Sequence, residues 1–255
     1  MKKSMVIIAI ILTALLPHSS FAWGKTGHGI VAEIAFSLLN SNAKQSIQKY
    51  LGTTTIEQAS TWMDEVRSDH SYDYMKPWHY VNIEKGGQYI TTKDDNIINA
   101  LNATISKMEH KDKLTESEIK QNLMILFHII GDFHQPLHVG YGIDKGGNDI
   151  KVDYLGRPAN LHWVWDSEII ESEKISLNDC LALYKNMNKK EIKNLKEINI
   201  EKWIYQPRPL LENVYSFTNN TIAQSYADKN KQVIEQQLLI AGIRLAAVLE
   251  FTFKS

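Results

Sequence analysis

Apolar residues along this chain recur mostly at helical spacing. Ile30, Val31, Ile34, Ala35, Leu38 and Leu39 lie on one face of a 3.6-residue repeat and predict an amphipathic helix. Comparable patterns run through 42–50, 55–67, 94–109, 115–131, 176–187, 208–227 and 230–251. The last carries Val233, Leu238, Leu239, Ile240, Ile243, Leu245 and Leu249, broad enough to predict a central, well-buried helix. Alternation is convincing in one place only, Asp149-Ile150-Lys151-Val152-Asp153-Tyr154, and the turn Leu155-Gly156-Arg157-Pro158 follows it. That segment predicts a short hairpin or a loop. No internal repeat or Pro/Gly-rich linker divides the chain, so one mainly α domain is expected.

The first residues follow a different logic. Lys2 and Lys3 precede an apolar run from Met5 to Leu16, and Ser20-Phe21-Ala22 offers a small-x-small cleavage site. Residues 1–22 therefore read as a secretory signal peptide and 23–255 as the mature domain. The apolar run is short for a membrane span, no later segment is expected to reach that length, and no stable membrane association follows. Removing the 22 leader residues, two of them lysines, leaves 233 residues with a formal charge of −3, which is enough chain for one core. Such a balance does not mark a binder of polyanions through surface charge, although bound metal could supply positive potential locally. Cys180 is the only cysteine and can form no intramolecular disulfide. With the Lys-Lys leader, this suits a bacterial periplasmic or secreted protein. The lysine-rich stretch 185–202 is interleaved with Glu191, Glu197 and Glu201 and reads as a solvated helical face.

Metal chemistry enters with Phe127-His128-Ile129-Ile130-Gly131-Asp132-Phe133-His134-Gln135-Pro136-Leu137-His138. Imidazole nitrogen and carboxylate oxygen are ligands that zinc favours. His128 and Asp132 stand four apart and project from one helical face. Pro136 ends the helix and carries His138 to a different position. His162 and Asp166 form a second pair at the same spacing. A single histidine is more often packing than ligand, but two such pairs in one chain point to metal.

Three further fragments join these: Trp23-Gly24-Lys25-Thr26-Gly27-His28, Trp62-Met63-Asp64-Glu65-Val66-Arg67, and Pro77-Trp78-His79-Tyr80-Val81-Asn82. Together, in this order, the motifs resemble the type I zinc nuclease family of single-strand nucleases with 3′-nucleotidase activity. The resemblance implies a phospholipase C/nuclease-like fold: a single compact multi-helix domain with a short β-hairpin around a trinuclear zinc cleft. It implies three zinc ions: one on Asp64, His79, His128 and Asp132, and a second on bridging Asp132, His28 and the α-amino nitrogen and carbonyl oxygen of Trp23. The third would sit on His138, His162 and Asp166. Arg67 would contact the phosphate, Tyr80 would stack on a base, and Asn82 stands where relatives carry aspartate. Glu168 stands where some relatives carry asparagine, and its charge would oppose an incoming phosphate.

The implied reaction is hydrolysis of single-stranded RNA or DNA to 5′-phosphate products, or of nucleotides, by a monomer. Asp132 would bridge the pair that activates water, and the third site would stabilise the leaving O3′. A zinc phospholipase C-like hydrolase of lipid headgroups and a non-enzymatic exported zinc-binding protein are the alternatives. His134 is expected to orient a ligand carboxylate or to pack, Cys180 to be an inert buried thiol, and His18, His70 and His110 to be incidental. Trp62, Trp78, Trp163 and Trp165 are expected to wall the site.

Overall fold

Every position from 122 to 133 is buried in the computed structural model, which describes residues 23–254. The expected signal peptide, 1–22, lies outside the described residues. A helix buried on all sides needs neighbours on all sides. In chain order the first helices are α1 (Lys25–Leu38), α2 (Ser41–Leu51), α3 (Ile56–Glu65), α4 (Ile97–Glu109) and α5 (Glu116–Phe133). The buried helix is α5, and the other four and the last helix of the chain all pack against it. Capping boxes fix the starts of α3 (Thr55 with Gln58) and α5 (Thr115 with Glu118), satisfying amides that would otherwise be left open. A ten-residue 3-10 segment, His70–His79, leads from α3 toward α4.

After α5, a 3-10 turn (Pro136–Val139) and a left-handed Gly146-Gly147 turn precede strands β1 (Lys151–Tyr154) and β2 (Arg157–Asn160). Leu155 and Gly156 both take positive φ, the backbone of a two-residue hairpin turn, and Tyr154 pairs with Arg157 across it. The helical segment α6 comprises Leu161–Trp163, a π turn (Val164–Glu168) and Ile169–Ser172. Shorter helices follow: α7 (Leu177–Lys185), α8 (Lys189–Leu195), α9 (Ile200–Ile204) and α10 (Leu211–Val214). Strand β3 (Thr221–Ile222) and the long α11 (Gln224–Thr252) complete the order.

Two expectations are corrected. The helix expected over 208–227 is broken: Asn219 and Asn220 both adopt left-handed backbone, and β3 then pairs in parallel with β1. Paired asparagines favour this reversal because their short amides tolerate positive φ. The apolar spacing there arose from two elements, each burying one side. Contrary to the expectation for the mature chain, α11 is long and apolar enough to cross a bilayer, but 78% of its apolar window is buried inside the fold. That face is occupied by core.

Helices α1 and α11 pack closely. A Cβ at Gly242 would stand 2.6 Å from Cβ of Ile34, itself fully buried. Gly242→Val should destabilise the protein by about 1–3 kcal/mol, because neither helix can withdraw without opening the core. Thermal unfolding checks this, and an unchanged Tm would show that the two helices are not held at this distance.

Candidate metal centre

Three helices and two loops deliver the motif side chains to one end of α5. Asp132 lies on its last turn with no exposure, as does His128 one turn earlier. Oδ2 of Asp132 stands 3.2 Å from His128 Nε2 and 2.9 Å from His79 Nδ1, and those two nitrogens are 3.0 Å apart. Asp64, from α3, places Oδ1 3.8 Å from His128 Nε2 and 4.0 Å from His79 Nδ1. The other carboxylate oxygen, Oδ1 of Asp132, faces His28 Nε2 at 3.1 Å. His28 stacks on His128 with ring centroids 4.1 Å apart. Asp132 thus serves two groups of nitrogens at once.

The start of the described chain is locked to the same turn. Trp23 is fully buried, and its indole N–H donates to the Gly131 carbonyl at 2.8 Å. A Cβ at Gly131 would approach His28 Nδ1 to 2.9 Å, so only glycine lets His28 lie against the helix. The Gly24 amide donates to the carbonyl of Asp166 at 2.8 Å, tying this end to α6.

His138, His162 and Asp166 form the third group. His162 Nε2 is 3.1 Å from Asp166 Oδ2 and 3.1 Å from His138 Nε2, and His138 Nε2 is 3.8 Å from Asp166 Oδ1. Gln135 donates to Asp166 Oδ1 at 2.5 Å and orients it. The π turn begins between His162 and Asp166, a local widening often found where helices carry function.

The hydrogen bonds show why these atoms suit a cation. His128 Nδ1 donates to the Ser60 carbonyl (2.7 Å), His138 Nδ1 to that of His79 (2.6 Å), and His162 Nδ1 to that of Gly146 (2.6 Å). Each turns its Nε2 inward, as backbone partners do for metal-bound histidines. His138 and His162 bring these nitrogens to 3.1 Å of each other, a spacing that a shared cation satisfies. Ligand atoms around an ion with bonds of about 2.0–2.1 Å are separated by about 3.3 Å in a tetrahedron, close to the spacings here. His28 Nε2, Asp64 Oδ1, Asp132 Oδ1 and Asp166 Oδ2 are buried without a hydrogen-bond partner in the protein. Leaving such atoms unsatisfied costs about 1–3 kcal/mol each, more for charged groups. The residues fit metal.

Electrostatics point the same way. Burial pushes His28 below its usual pKa and His138 down to about 3, favouring the neutral imidazole that ligates. Burial opposes the charge of Asp132, but the charge of His128 and hydrogen bonds from His128 and His28 outweigh it and hold the carboxylate ionised. Burial likewise opposes the charge of His128, but Asp132 and Asp64 together raise it to about 9. A metal there must displace that proton.

Arg67, one turn beyond Asp64, places Nη1 3.9 Å from its Oδ1 and is about a third exposed. It lines a cavity of about 230 Å³ with His79, Tyr80, Asn82, His138 and His162. Tyr80 and Asn82 are exposed at this cleft. Lys145 and Asn148, on either side of the Gly146-Gly147 turn, also line it, and neither was among the expected site residues. The signal lay in that turn. Gly146 supplies the carbonyl that orients His162, and a Cβ there would collide with the Leu137 carbonyl.

Several expectations change. Glu168 does not face this cleft unpaired: Oε2 meets Arg157 at 2.6 Å, and Oε1 accepts from the Trp163 indole at 3.1 Å. His134 orients no carboxylate; its Nδ1 donates to the Ile130 carbonyl and its Nε2 accepts from Arg244, both at 2.6 Å. Trp165 walls nothing, being fully buried with its indole bonded to Tyr226. Trp62 and Trp78 pack edge-on against Tyr72 and Tyr74. Burial does place Cys180 in the core and pushes its thiol up to about 12.

Comparison with known proteins gives a match to the family model described as S1/P1 nuclease over residues 23–254. Endonuclease 2 of Arabidopsis thaliana is 27% identical, with 99% of each chain covered. Nuclease S1 of Aspergillus oryzae is 28% identical over 93% of this chain and 94% of its own. Nuclease P1 of Penicillium citrinum is 28% identical over 57% of each. Among solved structures, the alpha-toxin of Clostridium perfringens superposes with a TM-score of 0.49 at 12% identity, covering 92% of this chain and 65% of the toxin.

The sharing of Asp132 predicts unequal metal losses. Asp132→Asn should remove about two equivalents of bound metal and Asp166→Asn about one, since single carboxylate bonds contribute heavily to affinity. Elemental analysis of folded protein reads this out. Equal losses would show that Asp132 serves one ion only.

Proposed function

The chain belongs to the S1/P1 nuclease family, and from that membership we propose that it is an exported, monomeric, three-zinc endonuclease of single strands. It leaves 5′-phosphates and also hydrolyses 3′-nucleotides. The observation that carries this reading is the convergence of nine candidate ligand residues on three adjoining groups beside an open cleft that contains Arg67.

Asp64, His79, His128 and Asp132 would hold the first zinc, His28, Asp132 and the main-chain atoms of Trp23 the second, and His138, His162 and Asp166 the third. Zinc bound at these positions supplies Lewis acidity and lowers the pKa of water enough for nucleophilic attack at neutral pH. The protein's part is positioning. Arg67 offers a planar fork to the phosphoryl oxygens and compensates the charge that grows on them. Asp132 fixes the spacing of the two groups it joins. His138, His162 and Asp166 would serve the departing O3′. Tyr80 presents an exposed ring at the same cleft, where an unpaired base stacks, and a duplex withholds its bases from such contact. Asn82 beside it offers both a donor and an acceptor to the base edge.

Export is part of this reading because the second site needs a free amine at Trp23. Residues 1–22 would be removed after Ala22 in the periplasm or during secretion. Burial of Trp23 against α5, with its indole on the Gly131 carbonyl, holds that residue beside His28, where its main-chain atoms would serve the second site.

Protein beginning at Trp23 and loaded with zinc should cut single-stranded oligonucleotides to fragments bearing 5′-phosphates, and chelation should abolish the cutting. Uncut oligonucleotide in the presence of a full zinc complement would sink the nuclease reading. Arg67→Ala should lower kcat/KM by about 10²–10³-fold with metal content intact, and Arg67→Lys should recover only part of it. One alanine added ahead of Trp23 should weaken the second site, read as lost zinc and lost turnover. Full zinc in that variant would remove the α-amino group from the ligand set.

A further inference from the structure

Arg67 lines two cavities, and Tyr80 and Asn82 belong to the smaller one. The larger, about 830 Å³, opens on the other side of Arg67 and shares the wall of the metal centre through Asp64. Its lining joins cations to one aromatic face: Lys25 and Lys76 with Arg67, and the indole of Trp163. Glu65 also borders it, with Oε1 accepting from the Thr61 hydroxyl at 2.8 Å. Lys76 is shared with Asp73 at 2.5 Å, whereas Lys25 forms no ion pair among the described residues.

Trp163 is held in a defined orientation. Its indole N–H donates to Glu168 Oε1, while Arg157 grips Oε2 of the same carboxylate. The ion pair compensates the charge of Glu168 and spends both its oxygens. An oriented aromatic face beside cations is the recognition chemistry of single-stranded nucleotides, stacking for the base and charge for the phosphate.

Resting on the nuclease reading, the direction of the strand follows. The nucleoside on the O3′ side of the scissile phosphate lies over Tyr80 in the smaller cavity. The strand continuing through O5′ must leave past Arg67. We propose that the larger cavity binds the nucleotide attached through O5′, with its base on Trp163 and its outer phosphate near Lys25. Glu168 and Arg157 are then positioning residues for that base, acting through the indole.

The test compares two diesters cleaved by the same zinc-loaded protein. One is the dinucleotide TpT, and the other is the methyl ester of thymidine 3′-phosphate, which has no base on the O5′ side. Wild type should prefer TpT in kcat/KM. Trp163→Ala should lower the TpT-to-methyl-ester ratio at least about fivefold, and Trp163→Phe should keep most of it. Lys25→Ala should reduce the dependence of log KM on log salt for longer single strands by about 0.7, one phosphate contact. An unchanged ratio in Trp163→Ala, or an equal fall in Trp163→Phe, would overturn the subsite while leaving the nuclease intact. Cleavage of neither diester by wild type would overturn both readings.

Discussion

Much of this molecule depends on one buried carboxylate. Asp132 sits with no exposure on the last turn of the most enclosed helix, where an uncompensated negative charge would cost several kcal/mol. Its two oxygens face histidines from three different segments: His28 on α1, His79 at the end of the 3-10 segment, and His128 on α5 itself. Helix α1 and the 3-10 segment must therefore meet α5 closely, and the glycine at 131 is part of the same requirement. The core around α5 and the cluster at its end are one packing problem.

Backbone carbonyls set the imidazoles. Ser60, His79 and Gly146 each take an Nδ1 proton, so three nitrogens on separate elements are turned inward by main chain that cannot easily move. The Gly146 carbonyl is itself held by its turn. Asp144 accepts from the Gly147 amide at 2.9 Å and from the Tyr215 hydroxyl at 2.7 Å. The segment that defeated the periodicity argument, around α10 and β3, thus braces the third group from outside. A rigid frame of this kind suits catalysis in which positioning and fixed charge do the protein's share.

Charge distribution explains how a chain with near-balanced charge can work on a polyanion. Positive potential need not be spread over the surface when it is concentrated at the metal groups and at Arg67, between two cavities. Glu168, which the sequence placed in conflict with phosphate, is compensated by Arg157 and serves the indole beside it. A residue's charge matters less than where its partner lies.

Much was legible from local rules. The helical stripes, the hairpin turn at Leu155-Gly156, and the i, i+4 pairs at 128/132 and 162/166 depend on residues within one or two turns of each other. The motif resemblance added Trp23, His28, Asp64 and His79, which no spacing could have joined. What stayed hidden was long-range. The break at Asn219-Asn220 reflects a pairing with β1, some seventy residues away in the chain. The partners of His134, Glu168 and Trp165 are likewise set by packing. Sequence by itself determined the elements and the chemistry of the ligands, because torsional preference and donor type belong to the residue. Tertiary structure alone decided which oxygen of Asp132 faces which histidine and which charges are cancelled, because burial and distance exist only between segments that have met.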